Sequence, residues 1–178
     1  MPQSKMQMRH VLGALGLTFA AAGLGAPSVQ AQAVGTATGL PVPRFVSVKA
    51  DKVNVHIGPA KNYEVKWIYQ RAGLPVEIVA EFENWRRIRD SDGTDGWVYH
   101  SLLSGRRTGI VITRSKDDLV AIHNQADAKS SIKAKLQPGV TMSVKRCGGQ
   151  WCRVVVQGVD GYIAQARLWG VYPNEKVD

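Results

Sequence analysis

The stretch 83-ENWRRIRDSDGTDGWVYH-100 opens with Arg86 and Ile88 alternating with Arg87 and Arg89, the period of a half-buried strand. Asp90–Gly96 follows as a run of turn residues. Gly93 and Gly96 are free to take positive φ there, and the Asp and Ser side chains can bond nearby backbone. Trp97-Val98-Tyr99 then resumes a strand, so the stretch reads as a β-hairpin. Its landmarks return later in the chain. Gln150-Trp151-Cys152-Arg153-Val154 echoes Asn84–Ile88, and Asp160-Gly161-Tyr162-Ile163 echoes Asp95–Val98. A hairpin that occurs twice marks a duplicated module.

Working outward, residues 44–105 form the first module and 109–172 the second, joined by the short link Gly105-Arg106-Arg107-Thr108. So short a link predicts modules packed against each other. Each has roughly 60 residues, near the lower limit for a core that folds unaided. In the first, strands are expected at Phe45–Val48, Val53–His56, Val65–Gln70 and Val76–Ala80, ahead of the hairpin. In the second, Ile110–Thr113, Val120–His123 and Val140–Val144 answer them. Short strands at this spacing, punctuated by Gly and Pro, predict an all-β chain of two tandem small barrels. Residues 34–43, mostly Gly, Thr, Ala and Pro, read as a flexible lead, and 173–178 as a tail.

Residues 1–33 read as a cleaved signal peptide. Lys5, Arg9 and His10 begin it, Val11–Ala26 is apolar but short for a membrane span, and Ala31-Gln32-Ala33 fits a small-residue cleavage rule. The expected product is exported, periplasmic or secreted, and does not span the membrane. The segment holds two of the 23 basic residues and none of the 14 acidic ones, so the mature chain keeps a net charge of +7. The excess is uneven: Arg44–Gly105 has nine basic and eight acidic residues, Arg106–Tyr172 eleven and four. Net positive charge fits nucleic acid as well as other anions, but export argues against a nucleic-acid partner.

Val53–Tyr63, VNVHIGPAKNY, resembles the opening motif of bacterial SH3-like domains: an apolar-Asn-apolar-Arg strand, a Gly-Pro turn, and a small polar loop ending in an aromatic. Asn84-Trp85 with Ile88, and Gly96-Trp97-Val98 with Leu103, resemble that family's closing hairpin. The second copy is looser, with Ala121 where Asn54 stands and no Gly-Pro after His123; His56 and His123 both replace the usual Arg. The resemblance extends to a tandem, exported subfamily. It implies SH3-like barrels acting as non-enzymatic binding modules in the cell envelope, for peptidoglycan or another anionic wall component. The alternative is a scaffold that receives an extended peptide from a protein partner.

The candidate ligand-binding residues are Asn54, His56, Tyr63 and Tyr99 in the first module and the cationic Lys133 and Lys135 in the second. Asn54 and Tyr63 belong to the fuller motif, and aromatics along a groove can stack on sugars or prolines. His56 and His123 hold equivalent places; without Cys, Asp or Glu at ligand spacing they suit a hydrogen bond to a loop carbonyl better than a metal. The large Trp85 and Trp97 suit a small core. Cys147 and Cys152 are the only cysteines, and export together with their position about a hairpin tip favours a disulfide over a metal site or a nucleophile. Arg86, Arg87, Arg89 and Arg106-Arg107 can grip anions or lie along a solvated face. No cofactor motif and no catalytic constellation is present.

Overall fold

The computed structural model describes residues 33–178, so the expected signal segment lies outside it except for Ala33. The chain is all-β. The first module comprises β1 (Arg44–Val48), β2 (Val53–His56), β3 (Val65–Tyr69), β4 (Pro75–Phe82), β5 (Trp85–Arg89), β6 (Asp95–Tyr99) and the short β7 (Leu103–Ser104). The second comprises β8 (Thr108–Val111), β9 (Val120–His123), β10 (Ile132–Leu136), β11 (Thr141–Gly148), β12 (Trp151–Val156), β13 (Val159–Ala164) and β14 (Leu168–Trp169), with β15 (Lys176–Val177) added at the end. The sheets run β3-β2-β6-β5-β4-β1-β7 and β10-β9-β13-β12-β11-β8-β14, the same order strand for strand. A single 3-10 turn precedes β7 and another precedes β14, His100–Leu102 and Gln165–Arg167.

Alternation builds two separate cores. Val53 and Val55 of β2 are fully buried while Asn54 faces outward. They join Val46, Val48, Val76, Ile78, Ile88 and Val98 in the first core. Ile122, Val144, Cys152, Val154 and Ile163 centre the second. Closure of each sheet needs glycine at one place. A Cβ on Gly96 would stand 2.5 Å from Val55 Cγ1, and one on Gly161 would stand 2.5 Å from Ile122 Cγ2 and 2.7 Å from the His123 carbonyl. Gly96 therefore serves close strand approach and not the turn; Gly93, at φ +82°, is the turn glycine. Asp90 accepts the Asp92 and Thr94 N–H groups there, an Asx turn.

The central hairpins are fastened differently at the same register position. Cys147 and Cys152 face each other across β11 and β12 and form a disulfide, with Cα atoms 4.1 Å apart. In the first module the facing pair is Glu81 and Arg86, joined as an ion pair at 3.5 Å with both side chains buried. Residues 34–43, expected as a flexible lead, instead fold over Glu81. Its carboxylate accepts from the Ala37 and Thr38 backbone N–H groups at 3.0 and 2.9 Å, from the Thr38 hydroxyl at 2.8 Å and from Arg44 at 2.6 Å. A buried anion recruits donors strongly, and that outweighs the low intrinsic order of this composition. The expected tail is likewise structured: β15 pairs with β11, setting Val177 against Cys147.

The modules pack together within one compact unit. Phe45 of β1 lies 4.9 Å from the Trp169 ring and 4.6 Å from that of Tyr172. The Tyr172 hydroxyl donates to Glu77 at 2.9 Å, and Arg89 donates to the same carboxylate at 2.6 Å. Burial and the Glu77 charge push the Tyr172 hydroxyl well above its ordinary range. Arg107, read as a candidate anion grip, is taken up by both Glu175 oxygens at 2.8 and 2.9 Å.

Candidate functional site

The outward edge of β2, the turn after β6 and the loop following His56 enclose a groove of about 450 Å³ on the first module, lined by Lys52, Asn54, His56, Lys61, Trp85, Tyr99, Ser101 and Leu102. Period-two alternation sets Lys52, Asn54 and His56 on one side of the strand while Val53 and Val55 enter the core. Trp85 forms the floor, edge-on to His56 at 5.3 Å and to Tyr99 at 5.6 Å. The Lys61 ammonium stands 6.0 Å from the centre of the Tyr99 ring. His56 Nδ1 lies 2.8 Å from the Tyr63 carbonyl; a carbonyl only accepts, so Nδ1 carries the proton. Among the described residues no cluster of His, Cys, Asp and Glu is placed to hold a metal.

Three expected residues thus meet in this groove: Asn54, His56 and Tyr99. Tyr63 does not line it. Its ring covers Gly58, where an added Cβ would stand 2.7 Å from ring atoms, and its carbonyl orients His56. Lys133 and Lys135 lie on β10 of the other module. Lys133 donates to the Asp160 carbonyl at 2.7 Å, as Lys66 does to the Asp95 carbonyl at 3.0 Å. Sequence reasoning passed over Lys52, Lys61 and Ser101, although the period placing Lys52 beside Asn54 was readable.

The arginines of the first hairpin are paired with carboxylates. Arg86 meets Glu81, Arg87 meets Asp95 and Arg89 meets Glu77, all across strands.

The second module keeps the frame of the groove without its polar lining. His123 Nδ1 lies 3.1 Å from the Ser130 carbonyl and the ring is edge-on to Trp151 at 5.3 Å, repeating His56 and Trp85. Through the paired registers and the equal loops after His56 and His123, Leu119, Ala121, Ala128, Ala164 and Ala166 stand where the first module has Lys52, Asn54, Lys61, Tyr99 and Ser101.

The family model described as bacterial SH3 domain matches twice, at residues 49–105 and 116–170. The chain belongs to the bacterial SH3 domain family. Two solved structures are similar to this bacterial SH3 protein. NlpC2 of Trichomonas vaginalis is 13% identical with a TM-score of 0.32, over 71% of this chain and 48% of that one. NlpC1 of the same organism is 12% identical with a TM-score of 0.31, over 76% and 48%. The chain spans about half the length of both. No curated protein matches it. Among the described residues, no helix of this SH3-domain chain is long and apolar enough to cross a membrane.

Proposed function

We propose that this protein is an exported, non-enzymatic binding protein of the cell envelope, whose first-module groove takes peptidoglycan or another anionic wall component. The carrying observation is the contrast between the copies. Equivalent frames hold Lys52, Asn54, Lys61, Tyr99 and Ser101 in one and only Leu and Ala in the other. A fold needs the frame in both; a ligand needs the polar lining in one. Tyr99 offers a partly open ring for stacking, Asn54 offers an amide, and Lys52 and Lys61 offer positive charge to carboxylates.

Purified sacculi stripped of protein provide the test. Retention of the protein is expected, reduced about tenfold by Tyr99→Ala or Asn54→Ala, the loss of roughly one good contact. Retention that vanishes when wall-bound proteins are stripped would replace this reading with the peptide scaffold. Retention unchanged in both variants would remove the groove from it.

A further inference from the structure

Three of the second module's eleven basic residues, Lys145, Arg146 and Arg153, line one cleft of about 650 Å³, together with Gln150, Trp151 and Tyr162 among others. It lies over the β11–β12–β13 face and shares no residue with the first-module groove.

A β-bulge creates it. The register of β11 against β12 slips between Val144 and Arg146, so two consecutive side chains, Lys145 and Arg146, both stand in solvent. The first module has the same slip, between Ile78 and Ala80, where the corresponding residues are Val79 and Ala80. The bulge therefore belongs to the fold, and the two cations on it belong to the second module alone.

Lys145 and Arg146 are less well neutralised than Arg87, Arg107 and Arg153, each of which grips a carboxylate at hydrogen-bond distance. Arg153 donates to both oxygens of Asp160 at 2.9 and 2.7 Å and holds that carboxyl below its usual range, the counterpart of Arg87 on Asp95. Arg146 faces Arg153 directly across the strands, an arrangement that costs stability between like charges. Among the described residues, Arg146 pairs only with the Asp178 carboxylate, 4.0 Å away and 94% exposed. Lys145 makes no ion pair among the described residues, and its charge reaches only the Asp160 carboxylate that Arg153 already holds. Trp151 and Tyr162, both half-buried, supply aromatic surface beside this charge, and Gln150 supplies an amide.

We infer that this cleft is a second binding site, for a sugar that carries a phosphate or a carboxylate: Lys145 and Arg146 meet the anion, and Trp151 and Tyr162 meet the sugar ring. Charge alone would attract any anion; aromatic surface beside it selects one attached to a ring with an apolar face.

Residue-resolved NMR titration of the intact protein tests this independently of wall material. The probes are tetragalacturonic acid for the carboxylate source, glucose 6-phosphate for the phosphate source, chitotetraose as a neutral sugar and inorganic phosphate as a bare anion. At least one charged sugar is expected to move the Trp151 indole N–H and the Tyr162 amide, more tightly than inorganic phosphate and with little response to the neutral sugar. The stronger charged probe identifies the anion. Lys145→Ala with Arg146→Ala, and Arg146→Gln alone, change only exposed side chains; the double change should weaken binding at least tenfold. Charged sugars that leave Trp151 and Tyr162 unmoved would overturn the inference, as would inorganic phosphate binding equally well, or a double variant that binds like its parent. Shifts confined to Asn54 and Tyr99 would place charged-sugar binding in the first-module groove alone, overturning this site while leaving the proposed function intact.

Discussion

Glu81→Gln perturbs the clamp on the first hairpin with almost no change in shape. The Glu81 side chain is completely enclosed, between Arg44 and Arg86. Burial by itself would raise its carboxyl, but Arg44, the Thr38 hydroxyl and two backbone N–H groups outweigh that and hold it at about 2, against an ordinary 4.5. A depression of that size is worth about 3 kcal/mol of folding free energy at neutral pH. Glutamine would turn an NH2 group toward those donors and leave both guanidinium groups without their anion. The expected loss is about 3 kcal/mol, which lowers Tm by roughly 10 °C in a unit of this size. The folded value lies below the unfolded one, so the contribution is whole above pH 4.5 and fades as pH falls from there through about 2. Denaturant unfolding of the protein and the variant at stepped pH should show the two converging in acid. A difference at neutral pH below about 1 kcal/mol, or one that persists undiminished in acid, would refute the clamp.

Cys147→Ser with Cys152→Ser should cost roughly 2 kcal/mol for so short a loop, and mass spectrometry of the unreduced parent should find neither thiol open to alkylation. Phe45→Ala empties the contact between the modules and should cost about 3–5 kcal/mol; calorimetry should show one melting transition dividing into two. Reversing Lys133 and Lys135 to Glu should weaken retention on sacculi at low salt and matter little at high salt, because exposed charges are screened over about 8 Å at physiological ionic strength. Equal retention of that variant at low salt would assign those lysines no part in attraction.

The duplication was legible because its landmarks are local: Trp85 and Trp151, then Gly96 and Gly161, mark the same two strands. The disulfide was legible because its partners flank one tip. The Glu81–Arg86 pair has the same five-residue spacing as Cys147–Cys152, yet in a segment crowded with Arg, Asp and Glu nothing local selects that pair. The order of residues 34–43 was hidden for a related reason. Its hydrogen bonds end on a carboxylate more than forty residues away, whereas composition reports only local preference. Asn54 and Tyr99 reach a common groove because strand alternation and the second hairpin strand carry them there. Tyr63 is a surface aromatic, but its ring lies over Gly58 and outside the groove, a placement the sequence does not show until the loop between them folds.

The stretches that match the family, 49–105 and 116–170, are shorter than the parts that fold. Arg44–Val48 runs between β4 and β7, and Thr108–Val111 between β11 and β14; both lie outside those limits. A fragment cut where similarity ends would leave two bare strand edges, and bare edges recruit other chains into aggregates. As a heritable unit the module therefore begins one strand earlier than its motif. What guards the end of its longest strand comes from whichever flank the gene supplies: a leading arm for one copy and a trailing strand for the other.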